Sequence, residues 1–221
     1  MTVAGRTVLL AGATSAVGLA TARALARADA RVVAVGRDRG KLDVLAEAVP
    51  GIVTVACDLT DEADVDRLAT RVHEGQDTVD GLVHLVGGWR GGGGLAGQTE
   101  ADYRFLERSL TALRHVSRAF DDDLRGSDAG RSAIVSSPAV SRPLAGGANY
   151  AAVKAASEAW ARAVAQGFAK DARDRAATPS AASVIFRVNS LDPLVEELAD
   201  AVVGLWNTDA AALNDTVIEL T

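Results

Sequence analysis

Apolar residues occur along this chain in short, nearly unbroken runs, set between longer alanine-rich stretches with helical spacing. The runs lie at 7–11, 31–36, 52–57, 81–86, 132–136, 183–188 and 216–220. A run that stays apolar, rather than alternating with polar residues, predicts a strand covered on both faces. The stretches between them predict helices at 16–29, 39–49, 61–75, 99–124, 148–171 and 191–206. Strand alternating with helix predicts an α/β fold, a doubly wound parallel sheet of about seven strands with helices on both faces. No repeat of fixed period is present. The glycine-rich stretch 87–94 and "ARDRAATPSAA" (172–182) read as loops, and neither divides the chain, so residues 1–221 are read as a single domain.

Composition narrows the function classes. With 48% hydrophobic and 24% charged residues, the chain has enough apolar material for a substantial core. A net charge of −6 argues against a nucleic-acid surface. The single cysteine, Cys57, excludes an internal disulfide and falls in an apolar run, so it is read as core. His73 and His115 lie on helix patterns with no second ligand at metal spacing, and His84 sits within a strand as a core or sheet-edge residue, so no metal is expected. "DDDLRGSD" (121–128) reads as a solvated helix end. The first residues carry no charged head followed by a long apolar segment, so a cytoplasmic protein without membrane association is expected.

The first strand–helix junction, "VLLAGATSAVGLATARALA", carries the earliest chemistry. Gly12 and Gly18 bracket a tight turn that holds Thr14, Ser15 and Val17, and Ala16 stands where a further glycine often sits. N–H groups and the dipole at a helix start favour a bound pyrophosphate, which makes this a Rossmann-type dinucleotide turn. Cofactor choice falls at the end of the second strand, in "VVAVGRDRGK". An acidic residue there bonds the ribose 2′-hydroxyl of NAD, whereas an arginine accommodates the 2′-phosphate of NADP. Arg37, with Arg39 and Lys41 nearby, favours NADP(H) over NAD(H); Asp38 either faces the ribose or caps the next helix. After the third strand, Asp58 and Leu59 are candidates for the adenine, and a helix-entry role is the alternative for Asp58.

Farther on, "NYAAVKAASEAWARAVA" places Tyr150 and Lys154 one helical turn apart. An adjacent ammonium favours the tyrosinate, which predicts a lowered phenol pKa suited to proton exchange. Ser137 closes the fifth strand in "AIVSSPAV", thirteen residues before Tyr150. Together "AGATSAVG", "IVSSPAV" and "YAAVK" resemble the short-chain dehydrogenase/reductase family, over nearly the whole chain. The resemblance implies that Tyr150 is the general acid/base. It implies further that Lys154 lowers the tyrosine pKa and holds the nicotinamide ribose, and that Ser137 binds the substrate oxygen. Trp160 and Phe168 follow on the same helix, where the family forms subunit contacts, so a homodimer or homotetramer is expected.

Departures from that family are specific. His84-Leu85-Val86-Gly87 replaces Asn-Asn-Ala-Gly, Ser109 aligns with the asparagine of the catalytic tetrad, and "RVNSLDP" leaves a short lid or none. The segment "VGGWRGG" resembles a Gly-Gly-Trp-x-Gly-Gly loop of dihydropteridine reductases, a branch of the same family. Gly87 and Gly88 are then expected beside the cofactor ribose, with Trp89 as a flat substrate wall and Ser109 nearby. The leading expectation is an NAD(P)H-dependent oxidoreductase that reduces a carbonyl or C=N group of a small planar substrate. Quinonoid pterin reduction is the near alternative, and a non-catalytic dinucleotide sensor is the alternative of another class.

Overall fold

The computed structural model describes residues 2–75 and 78–221. Seven parallel strands form one sheet in the order β3-β2-β1-β4-β5-β6-β7. These are β1 (Thr7–Ala11), β2 (Arg31–Gly36), β3 (Val53–Ala56), β4 (Gly81–His84), β5 (Arg131–Ser136), β6 (Ala182–Val188) and β7 (Thr216–Leu220). Every residue of β1 is buried, and its side chains alternate between two cores: Val8 and Leu10 on one face, Leu9 and Ala11 on the other. That double burial is what a continuous apolar run encodes. Helices α1 (Ala16–Arg27), α2 (Arg39–Ala48) and α7 (Val195–Gly204) pack on the first face. On the second lie α3 (Glu62–Glu74), α4 (Glu100–Ala119) and α6 (Ala148–Asp174).

Helix starts are set by side-chain caps at Ser15, Asp38, Asp61 and Thr99, each accepting from an N–H in the first turn. The chain winds outward through β1, β2 and β3, then returns so that β4 lies on the other side of β1. This reversal opens a crevice beyond the carboxyl ends of β1 and β4, where such sheets bind ligands.

Three local readings change. The helix expected over 99–124 is broken at Phe120, whose ring is fully buried, and α5 (Asp121–Gly126) continues separately. The acidic stretch is not simply solvated, because the Asp123 carboxylate accepts from Val79 N (2.9 Å) and meets His73 Nε2 (3.0 Å). Phe168 is buried in the core beneath α6, so it belongs to this chain's interior rather than to a subunit contact; Trp160 is half-buried and donates to Ser117 Oγ (2.8 Å). A short α8 (Ala210–Leu213), unforeseen in the pattern, precedes β7. Among the described residues no helix is long and apolar enough to cross a membrane.

Candidate active site

Two adjoining hollows occupy the crevice and share Ser15, Leu85, Val86, Gly87 and Gly88. The first, of about 380 Å³, is reached by Gly12, Thr14, Arg37, Asp58, Leu59 and Ser109. The second, of about 450 Å³, is reached by Val17, Trp89, Tyr150, Lys154, Asn189 and Asp192. The side chains anticipated for cofactor, proton transfer and substrate therefore line one continuous groove, with two qualifications. Gly18 lies beneath it, where a Cβ would stand 2.2 Å from the Ala13 carbonyl oxygen. Ser137 stands beside the Tyr150 hydroxyl and is not among the residues lining the groove.

The groove's chemistry fits a dinucleotide. Ser15 Oγ takes the Gly18 N–H (3.2 Å), and Ala16 and Val17, first-turn residues whose N–H groups have no intrahelical acceptor, line the second hollow. The Asp38 carboxylate accepts from Lys41 N (3.0 Å), so it serves as the cap of α2, and Arg37 and Lys41 line the first hollow. Asp58 Oδ1 accepts from Thr60 N (3.0 Å) and Thr60 Oγ1 (2.7 Å), while Oδ2 lies 3.4 Å from Arg108. Burial acts to raise the Asp58 carboxyl, but the Thr60 hydrogen bonds and the charges of Arg108 and Arg37 outweigh it and hold the group below its ordinary value.

Tyr150 and Lys154 rise from the first turns of α6. The Lys154 ammonium donates to the Val135 carbonyl (2.7 Å) and lies 5.8 Å from the centroid of the Tyr150 ring. Burial pushes Lys154 down to about 8, opposed by Glu158 one turn farther along. The Glu158 carboxylate is itself buried, accepting from Ser136 Oγ (2.8 Å) and from two nitrogens of Arg187 (2.8 and 2.7 Å). The Tyr150 phenol stands above its ordinary value, opposite to the expected direction. Burial raises it, and the Ser137 hydroxyl beside it opposes only part of that rise. Ser137 is buried and caps the following turn by accepting from Ala139 N (3.2 Å).

The departures also have definite places. Ser109 Oγ donates to Leu106 O (2.8 Å), so its hydroxyl is turned back into its own helix. Its carbonyl meets Nε2 of His84 (3.0 Å), which assigns the ring hydrogen to Nε2 and leaves Nδ1 buried with no hydrogen-bond partner among the described residues. Burial, and secondarily the charge of Lys154, push His84 down to about 3, so the imidazole is neutral. Beyond β6 the chain passes through residues 189–191 and a single 3₁₀ turn into α7, without a long lid.

The glycine loop is a built rim. Gly92, Gly93 and Gly94 have φ of +119°, +66° and +63°, which a side chain would strain. Trp89 is 65% exposed at the mouth of the second hollow, and the Arg90 guanidinium stacks over Phe105 (4.5 Å to the ring centroid). Gln98, at the end of this loop, carries no motif and escapes a reading by pattern. Its Nε2 faces the carbonyls of Gly92 (3.1 Å), Gly94 (3.3 Å) and Gly146 (2.9 Å), and its Oε1 accepts from Asn149 N (3.1 Å). Phe105 and Arg108, in the cofactor half of the groove, were likewise unforeseen. No group of three or more potential ligands that could hold a metal lies together among the described residues.

Known proteins match at the level of sequence and of fold. The family model described as short chain dehydrogenase matches residues 6–180. The chain is 31% identical over 166 residues to the 3-oxoacyl-[acyl-carrier-protein] reductase MabA of Mycobacterium tuberculosis; the match covers 75% of this chain and 64% of that protein. An NAD+-bound xylitol dehydrogenase shares the fold with a TM-score of 0.85 at 18% identity, covering 99% of this chain and 98% of that one. A gluconate 5-dehydrogenase from Burkholderia cenocepacia, in complex with NADP and tartrate, gives a TM-score of 0.83 at 20% identity, covering 98% and 94%.

Proposed function

This chain belongs to the short-chain dehydrogenase family, and from that premise we propose that it is an NADP(H)-dependent carbonyl reductase acting on a small, planar substrate. The observation that carries the proposal is that Tyr150 and Lys154, with the Ser137 hydroxyl beside Tyr150, stand at a groove that continues into the glycine turn. Gly12, Thr14, Ser15, Val17, Arg37, Asp58, Leu59, Gly87 and Gly88 would hold the dinucleotide, with Arg37 and Lys41 at the 2′-phosphate. When bound, the cofactor supplies the hydride; the protein supplies orientation and the proton.

Burial keeps Tyr150 protonated at neutral pH, so its hydroxyl is a donor ready for the substrate oxygen. The Ser137 hydroxyl orients that oxygen. Lys154, held by the Val135 carbonyl, places a positive charge near the tyrosinate that forms as the proton leaves. Trp89 provides an apolar wall for a flat substrate. Pterin reduction draws support from the loop, from Ser109 and from the short segment after β6, and both Arg37 and Ser137 weigh against it. The sensor reading leaves the Tyr150–Lys154 arrangement without a purpose. A homodimer or homotetramer in the cytoplasm is part of the same proposal, and light scattering tests the assembly. The deciding experiment is Tyr150→Phe: NADPH-dependent carbonyl reduction should fall by at least ~100-fold while NADPH binding stays within about two-fold. Turnover preserved in that variant would refute the assignment.

A further inference from the structure

The glycine loop poses a physical problem. A chain segment with glycine at 91, 92, 93, 94 and 97 has few side chains with which to anchor itself and much conformational freedom to lose. Its fixed course comes from contact with a second glycine-rich segment, just before Tyr150. Gly92 N donates to Gly146 O (2.7 Å), and Gly91 passes so close that a Cβ would stand 2.4 Å from the same carbonyl oxygen. Gln98 joins the two segments. Its single amide nitrogen gathers carbonyls from both, and its oxygen takes the Asn149 N–H.

The second half of that clamp matters for the helix. α6 begins at Ala148 behind Gly147, which has no side chain with which to cap it, so Gln98 satisfies a first-turn N–H from 51 residues away in sequence. Asn149 Nδ2 returns a hydrogen bond to Thr99 O (3.2 Å), doubling the link. Tyr150 follows Asn149 directly, and Trp89 lies on the loop that Gln98 restrains. We propose that Gln98 is a positioning residue: it fastens the glycine loop to the start of α6, so that the Trp89 wall keeps a fixed place opposite Tyr150. Its kinetic consequence rests on the reductase reading above.

Gln98→Glu and Gln98→Leu separate the two halves of the clamp. The glutamate keeps an oxygen for Asn149 N but turns a second oxygen toward the carbonyls of Gly92, Gly94 and Gly146. The leucine removes both functions. Amide hydrogen exchange over 91–98 and 146–150 is read alongside steady-state kinetics with NADPH and phenanthrenequinone, a planar dicarbonyl. In Gln98→Glu, exchange over 91–98 should quicken about 10-fold or more while 149–150 keeps its protection. KM should rise on the order of 10-fold with the NADPH Kd unchanged. In Gln98→Leu both segments should exchange faster and kcat should fall as well. NADPH binding by each variant verifies that it has folded. Unchanged exchange in both variants overturns the proposal, as does faster exchange with KM and kcat unaltered. The exchange result does not depend on turnover, so failure of the reductase reading is distinguishable from failure of the clamp.

Discussion

Replacing Arg37 with alanine tests cofactor choice at its most exposed point. Arg37 follows the last residue of β2 and lines the first hollow together with Lys41. The neighbouring Asp38 caps α2 through Oδ1 and, unlike Arg37, is not among the residues lining the first hollow. The other carboxylate of the first hollow, Asp58, accepts from Thr60, faces Arg108 and is the one assigned to the adenine. A guanidinium–phosphate contact is charge-assisted and contributes about 1.5–3 kcal/mol. Solvent at the lip of the groove reduces it to the lower part of that range, about 1.5–2 kcal/mol. At about 1.4 kcal/mol per decade, Arg37→Ala should raise the NADPH Kd about 10- to 30-fold. NADH lacks the 2′-phosphate, and its Kd should move less than about two-fold. Calorimetric titration of both proteins with both cofactors measures this directly. Raising the ionic strength should narrow the difference, since the contact lies in solvent. An equal loss of affinity for the two cofactors, or tighter NADH binding by the unaltered protein, would refute the argument.

Two further outcomes follow from buried groups. Lys154 has its pKa reduced from 10.5 to about 8 by burial, so its ammonium is present below that pH and lost above it. Carbonyl reduction should therefore decline above about pH 8; Lys154→Arg, which stays charged, should turn over more slowly but without that limb, and a rate flat to pH 10 in the unaltered enzyme would contradict the role given to Lys154. His84, lowered from 6.5 to about 3, resists protonation in the fold, whereas the unfolded chain takes up a proton near 6.5. Its contribution to stability is thus lost as pH falls through that window, by about 2 kcal/mol between pH 6.5 and 4.5. Urea unfolding at those two pH values should show a smaller acid loss in His84→Gln than in the unaltered protein, and equal losses would show that the imidazole does not titrate as described.

What could be read from the chain and what could not divides along a physical line. The strands were legible because a strand buried on both faces needs an uninterrupted apolar run, and β1, with all five residues buried, is the plainest case. Tyr150 and Lys154 were legible because helical geometry sets their relation locally. The break at Phe120 was not, since the helical pattern runs on without a glycine or proline. What accompanies it is distant: Asp123 reaches back to the N–H of Val79 and to His73. Gln98 was hidden for the same reason, as two of its four partners lie about 50 residues away. The direction of the Tyr150 shift needed the structure too, because spacing reveals the lysine nearby but not the burial that raises the phenol against the Ser137 hydrogen bond.

The glycine turn shows how packing and binding divide the work within one motif. Gly12 has a φ of +88°, and a Cβ there would stand 2.8 Å from the backbone nitrogen of Val86; at Gly18 a Cβ would stand 2.2 Å from the carbonyl oxygen of Ala13. Both glycines are therefore demanded by the protein's own backbone, where the end of β1 meets the chain after β4 and the first turn of α1. Ala16 is different. It is exposed, has no left-handed backbone, and its neighbourhood is the second hollow. A methyl group there narrows the space left for a ligand without pressing on the fold. The two glycines retained in this turn are those whose loss the architecture could not absorb. The departure from the family pattern falls at the position where only the fit of the cofactor is at stake.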